Sequence, residues 1–323
     1  MRHLIRTAVL LALALLGPMP QAPAVAGSRA ADPARIEFLD VGQGDSVLIR
    51  SPEGKTALID AGTSNRVVQT LKDREVTTLD LVAVSHHHSD HYGGMAAVIQ
   101  AFHPRYFLAT SSGHNTSSYQ KLIKLVRDEK LQPIYPLKNK PRRIELGSVV
   151  LTVFPQPPED DDEENNNSIG LRVSFGSVSV LMTGDSEETE RQWWMAHNPD
   201  LLRDASILKL AHHGSRNGTD AKWLGLVQPE LTVASLGEGN DYGHPHSETV
   251  SLLSRSHIPF KRTDRDGTIA IECDGDQWQL VRGQSQIARN SDTSDDKKGS
   301  AKGNGWRSSS STKETTDASS RRR

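Results

Sequence analysis

A chain of 323 residues has room for one large domain or two small ones, but an apolar share of 35% and a mean hydropathy of −0.52 imply a packed core diluted by segments that do not fold. The net charge of −2 sets up no bulk attraction to nucleic acid or membrane, although a local basic groove fits within a neutral total. A lone cysteine, Cys273, excludes an intramolecular disulfide framework and any CxxC zinc site, so metal ligands must come from His, Asp, Glu or Asn.

At the N-terminus, Arg2 and Arg6 precede the apolar run "TAVLLALALLG" (7–17), and "APAVAGS" offers cleavage after Ala26 with Ala24 and Ala26 in the A-x-A positions. This is the pattern of a secretory signal peptide over 1–26, and the run is shorter than the ~20 apolar residues of a spanning helix. Export to the periplasm or the exterior is expected, without stable membrane insertion after cleavage. The folded part is expected over 34–283. Its first strands are "ARIEFLDVG", "DSVLIRS" and "KTALIDAG", with "SPEG" turning between the last two. A helix over "SNRVVQTLKDRE" leads to "LDLVAVS", an apolar run typical of a strand buried on both faces. "DHYGGMAAVIQAF" and "SYQKLIKLVRDEK" read as helices around the strand "RYFLAT". The second half repeats the theme, with the strand "SVVLTVF", a hairpin "SIGLRVSFGSVSVLMTGD" around Phe175–Gly176 and a helix "SEETERQWWMAHN". Strands "ASILKLAHHGS", "ELTVASLG" and "TIAIECDGDQWQLV" and a helix "SETVSLLSRS" complete it. The acidic run within 157–167 reads as a solvated loop, and 290–323, rich in Ser, Thr, Asp, Lys and Gly, as a disordered tail. Two mixed halves imply an α/β protein with two sheets face to face and helices outside.

The chemistry concentrates in "SHHHSDHYGG", where His86, His88, Asp90 and His91 follow the strand ending at Ser85. An extended exit puts residues i and i+2 on one side, so His86 and His88 converge while His87 points away. Ser89 and Asp90 fall where a helix N-cap belongs, and Asp90 and His91 face back across the first turn. Gly93 and Gly94 spare side-chain bulk beside them. Two metal ions side by side fit this arrangement, one on the His pair and one on Asp90 and His91.

The ordered motifs "LDVGQGDSVLI", "LIDAGT", "SHHHSDHYGG", "NNNSIGLRV", "VLMTGD", "LKLAHHGS", "YGHPH" and "TDRDGTI" span Leu39 to Ile269. As a set they resemble the metallo-β-lactamase fold superfamily, and within it the free-standing relatives of the ComEC-type competence protein's C-terminal hydrolase domain. The resemblance implies a four-layer αββα sandwich with two divalent metal ions, Zn or Mn, at one edge between the sheets. Asp185 matches the carboxylate that bridges the ions, and Asp60 a residue that orients the metal loop by hydrogen bonds. Asp45 and the glycines of "VGQGDS" are expected to shape a tight loop. His212 and His213 supply the late ligand, with one of the two reaching the second ion. His244 matches a histidine that protonates a leaving oxygen or grips a phosphate, and His246 is expected in solvent. The family's third histidine for the first metal has no counterpart here: His103 and His114 lie too close to the first cluster, and "NNNSIG" occupies its place. Asn166 or Asn167, or a water, is expected to fill it, tilting preference towards manganese or magnesium.

Such a site activates water and stabilises an anionic transition state, with Asp90 or a histidine managing the proton. A phosphodiester, lactone, β-lactam or thioester suits it, and the competence-type resemblance favours DNA. A cell-envelope or small-molecule phosphodiesterase, akin to phosphorylcholine esterases, is the next reading. A lactonase or β-lactamase follows, then a metal-dependent binding protein without catalysis. The sequence has no obvious basic stripe with interleaved aromatics; "KNKPRR" (Lys138–Arg143) and "FKRTDRD" (Phe260–Asp266) are the local positive segments.

Overall fold

The computed structural model describes residues 32–112, 116–160 and 162–281. The expected leader, the tail over 290–323 and His114 lie outside the described residues. The chain first lays down β1 (Ala34–Phe38), β2 (Val47–Arg50), β3 (Thr56–Ile59), β4 (Leu81–Val84), β5 (Tyr106–Ala109) and β6 (Gln132–Ile134). It then builds a second sheet from β7 (Arg142–Leu146), β8 (Val149–Val153), β9 (Leu171–Phe175), β10 (Val178–Met182), β11 (Ile207–Lys209), β12 (Leu231–Ala234) and β13 (Phe260–Arg262). Finally β14 (Ile269–Cys273) and β15 (Trp278–Leu280) return to the first sheet, whose order is β15-β14-β1-β2-β3-β4-β5-β6. The second sheet runs β13-β12-β11-β10-β9-β8-β7.

The period of two along each strand sorts side chains into layers. In β4, Leu81 and Ala83 join Ile49, Ile59, Val173 and Val180 between the sheets, while Val82 and Val84 face the helices. A strand covered on both faces has no polar side, which is why "LDLVAVS" carries no alternation. Each large aliphatic side chain buried this way contributes roughly 1.5–3 kcal/mol. Over the first sheet lie α1 (Arg66–Lys72), the one-turn α2 (Ser89–Tyr92), α3 (Met95–Phe102) and α4 (Ser117–Asp128), which bury Val67, Leu71, Val98, Ile99, Leu122 and Val126. The Thr116 hydroxyl caps α4 by accepting the Tyr119 N–H at 3.3 Å. Over the second sheet lie α5 (Glu188–His197), α6 (Ala221–Val227) and α7 (Ser247–Arg255), burying Trp194, Trp223, Val227 and Leu253. The result is four layers, helix–sheet–sheet–helix.

Several expectations need correction. The single helix expected over "DHYGGMAAVIQAF" is two, α2 and α3, parted at Gly93–Gly94. A Cβ on Gly93 would lie 2.4 Å from Thr63 O and one on Gly94 2.4 Å from Ala61 O. These glycines therefore make room for the 61–64 loop rather than for the metal-binding side chains. The N-cap of α2 is His88, with no side-chain cap bond, and Asp90 lies inside the turn. Strands β6, β7 and β13 and helix α6 were not legible as periodic runs. Among the described residues, no helix is long and apolar enough to cross a membrane.

Candidate metal centre

The site forms where strands of both sheets end. Asp60 follows β3 in a left-handed conformation (φ 61°), and both its oxygens are occupied. Oδ1 accepts the Ser85 N–H at 2.7 Å, while Oδ2 accepts the Ser85 hydroxyl at 2.7 Å and lies 2.9 Å from His91 Nδ1. One buried carboxylate thus ties the end of β3 to the start of the histidine loop and directs His91 Nε2 into the centre. The "VGQGDS" loop presses on the same segment. Asp45 N–H donates to Asp90 O at 3.2 Å, and a Cβ on Gly44, at φ 107°, would lie 1.9 Å from that oxygen. Only glycine allows the approach.

Asp185 Oδ2 is the hub. It lies 3.2 Å from His91 Nε2, 3.3 Å from His213 Nε2, 3.9 Å from His86 Nε2 and 4.0 Å from His212 Nε2. On one side, His86 Nε2 and His88 Nδ1 approach to 3.0 Å, as i and i+2 on an extended exit should. On the other, Asp90, His91, Asp185 and His213 bring one ligand atom each within 4.8 Å of one another. Asp90 Oδ2 is 3.2 Å from His213 Nε2, and its Oδ1 4.0 Å from His91 Nε2. His87 turns away from this cluster, but it is buried rather than in solvent. Its Nδ1 lies 3.0 Å from Glu164 Oε1 and its ring packs 4.0 Å from that of Tyr119.

The adjacent pair His212 and His213 is divided by the backbone. Both are left-handed (φ 49° and 54°), and Gly214 follows at φ 84°. Two consecutive non-glycine residues in that region are costly, so the turn is held by its surroundings. It sends His213 into the buried cluster, with Nδ1 2.8 Å from Ser235 O and Nε2 turned to the two aspartates. His212 stays on the cavity wall with Nδ1 3.1 Å from Glu187 Oε1.

The expected carbonyl oxygens of Asn166 and Asn167 are already engaged. Asn166 Oδ1 accepts the N–H groups of Glu187 and Glu190, and Asn167 Oδ1 that of Asp160. Asn165 lines the cavity instead, and its buried Oδ1 makes no hydrogen bond with the protein. Asp45 is more than a loop former. It is buried in an ion pair with Lys209 on β11, and its other oxygen is 3.3 Å from His213 Nδ1. Sequence reading passed over Lys209, although a lysine within the buried run "ILKL" was a visible signal. His246 is half-buried, its Nδ1 accepting the Arg216 N–H at 3.0 Å.

These residues fit metal ions. His91 Nε2 and Asp185 Oδ1 are buried and hydrogen-bond to nothing in the protein, which leaves both turned to the centre with no partner there. Burial opposes a charge on His91 and His213, yet Asp185 foremost outweighs it and holds both imidazoles well above their ordinary value. The buried carboxylates around these two imidazoles concentrate negative charge at the centre, which favours a cation there. His86 goes the other way, pushed well below its ordinary value by burial and then by His91, and so presents a neutral nitrogen.

The open side is a cavity of about 310 Å³ lined by His88, Asp90, Asn165, His212, Tyr242 and His244, among others. Tyr242 is 64% exposed and stacks at 21° on His244, with ring centres 5.7 Å apart. Burial first, then the neighbouring His213, His212 and His246, bring the His244 imidazole down to about 4. At neutral pH it is an uncharged donor–acceptor, and its Nδ1 has no partner in the protein.

The family described as "Metallo-beta-lactamase superfamily" matches residues 39–238. The chain is 26% identical to ComE operon protein 3 of Bacillus subtilis over 254 residues, covering 72% of this chain and 32% of that protein. It is 30% identical to competence protein ComA of Neisseria gonorrhoeae over 268 residues, covering 79% and 34%. It is also 25% identical to endoribonuclease ysh1 of Schizosaccharomyces pombe over 223 residues, covering 61% and 29%. The chain therefore spans about a third of the length of these relatives. Its fold is shared with the metallo-beta-lactamase fold protein YhfI of Bacillus subtilis, at a TM-score of 0.50 and 16% identity over 74% of this chain and 100% of that one. The chain belongs to the metallo-β-lactamase superfamily as a metal-dependent hydrolase, similar in its domain to the competence proteins.

Proposed function

We propose that this chain is an exported two-metal phosphodiesterase that hydrolyses DNA. The observation that carries it is Asp185 Oδ2, set among four imidazole nitrogens at 3.2–4.0 Å on the floor of an open cavity with an aromatic rim. His86 and His88, with Asn165 Oδ1 as the nearby oxygen, would hold one ion. Asp90, His91 and His213 would hold the other, and Asp185 would lie between. Bound there, divalent cations supply a water activated near neutral pH and neutralise charge developing on the phosphorus centre.

The chain's own groups arrange the rest. Asp60 and Ser235 engage the Nδ1 atoms of His91 and His213 and so leave Nε2 of each facing the centre. Asp90 is the more open of the two cluster carboxylates that line the cavity, which places it to take a proton from the attacking water. His244, neutral and beside Tyr242, donates an N–H hydrogen bond to a phosphate oxygen. The exposed Tyr242 face offers a platform for a nucleobase. The competence proteins and the endoribonuclease among the relatives support a nucleic-acid diester. The apolar run at 7–17 supports export.

The test offers the full-length chain, loaded with Mn²⁺ or Zn²⁺, linear and plasmid DNA, bis-p-nitrophenyl phosphate and nitrocefin. DNA and the small diester should both be cleaved, with loss in EDTA. Cleavage of the small diester with DNA intact would move the substrate to the cell envelope or a small molecule. Hydrolysis of nitrocefin alone would sink the phosphodiesterase reading.

A further inference from the structure

A second concavity lies behind the histidine loop, between α4 and strands β5 and β6. It measures about 490 Å³ and includes Thr110, Ser112, Tyr119, Arg127 and Tyr135 in its lining. Tyr135 is 47% exposed, one of two strongly exposed aromatic side chains among the described residues; the other is Tyr242 at the metal cavity. At the cleft's inner end, Ser112 Oγ is 3.4 Å from His87 Nδ1, and the Tyr119 ring packs on the His87 ring. His87 is flanked in the chain by His86 and His88. The cleft and the metal centre are thus two sides of one loop.

The chain that borders this cleft is locally basic, as the segment Lys138–Arg143 suggested. Between Lys121 and Arg143 the chain carries eight lysines and arginines against Asp128 and Glu129, a net of +6 in a protein of net −2. All of these except Arg142 are exposed. Four of them form the segment "KNKPRR" singled out above, and the others lie on α4 and at its end. Arg127 lines the cleft with Tyr135, and Arg142 Nε donates to Tyr135 O at 2.9 Å, which ties the start of β7 to the tyrosine's backbone; Lys138 and Lys140 lie exposed in the segment between Tyr135 and Arg142. Pairing spends part of the charge, as between Lys124 and Asp128 at 2.6 Å and between Arg143 and Glu145 at 3.6 Å.

We propose that this cleft is a docking site for single-stranded DNA, with Tyr135 stacking on a base and Arg127, Lys138 and Lys140 following the phosphates. The reading rests on the proposed phosphodiesterase activity and extends it to the substrate's path. A base-stacking platform beside a basic groove is how sequence-tolerant strand binders work, and every base presents a π-face to it. A duplex hides those faces, and a polymer such as poly(glycerol phosphate) lacks them, so the exposed tyrosine favours a single strand over either.

The test measures binding of a fluorescent phosphorothioate oligothymidine to the metal-loaded full-length chain by anisotropy, across a salt series. Bis-p-nitrophenyl phosphate hydrolysis is followed in parallel. Tyr135→Ala should weaken strand binding about tenfold. Lys138→Ala with Lys140→Ala should flatten the salt slope by about 1.4, for two single-strand phosphate contacts. Both variants should hydrolyse the small diester as the unaltered chain does, since neither residue lines the metal cavity. Unchanged strand affinity in both variants overturns the proposal. So does equal binding of poly(glycerol phosphate) that is indifferent to Tyr135→Ala, which would make the cleft a site for anionic envelope polymers. Failure of the unaltered chain to hydrolyse the diester would sink the catalytic reading alone, because strand binding is read independently.

Discussion

Replacing Lys209 by methionine tests how the metal cage is braced. Lys209 and Asp45 are each 2% exposed, and their charges meet behind His213; the Lys209 ammonium also donates to Leu210 O at 3.1 Å. Lys209→Met fills the volume but leaves the Asp45 carboxylate buried, with only imidazole Nδ1 atoms at 3.3 Å and 3.8 Å beside it. Breaking one partner of such a pair costs about 3–5 kcal/mol, whereas removing both charges is nearly neutral. Thermal unfolding followed by the fluorescence of the buried Trp194 and Trp223 should show that loss, on the order of 10 °C in Tm for a domain of this size. The double variant Asp45→Asn with Lys209→Met should recover most of it. Burial opposes the charge on Asp45, but Lys209 overrides it and holds the carboxyl below its ordinary 3.8; burial likewise opposes Lys209, but Asp45 holds it above 10.5. The pair's contribution is therefore complete between those values. It is lost as pH falls through the lowered Asp45 value or rises through the raised Lys209 value. A single variant losing less than about 1 kcal/mol, or a double variant as unstable as the single, would refute the account.

Three further outcomes follow from the site. Asp185→Ala should abolish diester hydrolysis and reduce the bound metal, measured by elemental analysis; two ions with full activity would defeat the two-metal reading. His213→Ala should lose an ion, while His212→Ala should keep the metal content and raise KM, because only His213 sits in the tight cluster; the reverse pattern would exchange their roles. Asp60→Asn should lower metal affinity about 10–100-fold without unfolding the chain, since it weakens the grip on His91 Nδ1, and titration calorimetry would read this directly.

What the sequence made legible follows local rules. The i and i+2 spacing of His86 and His88 on a strand exit, and the two-sided burial of "LDLVAVS", depend only on backbone geometry, and they were read from residue order. Edge strands were harder, because an edge is exposed. β6 contains Pro133 and β7 is "RRIEL", so neither shows an apolar pattern. The choice between His212 and His213 rests on two left-handed residues that only the packed turn enforces. The shift from Asn166 and Asn167 to Asn165 is decided by hydrogen bonds to Asp160 and the start of α5, contacts that no local rule encodes. Lys209 and Asp45 come from different sheets, and their pairing exists only once the sheets meet.

The order in which the sheets are completed bears on how the molecule reaches its native state. Strand β1 pairs on one side with β2 and on the other with β14, so that Arg35 meets Glu272 across 237 residues of chain. Pairing at such separation closes late and slowly, because the loop entropy falls due before the contact rewards it. Strands β1 to β6 pair in chain order, so it is the β14–β15 edge that closes only when nearly the whole described region is present. Until then β1 presents an unpaired edge, and a truncation that removed β14 and β15 would leave that edge free to pair with a second chain.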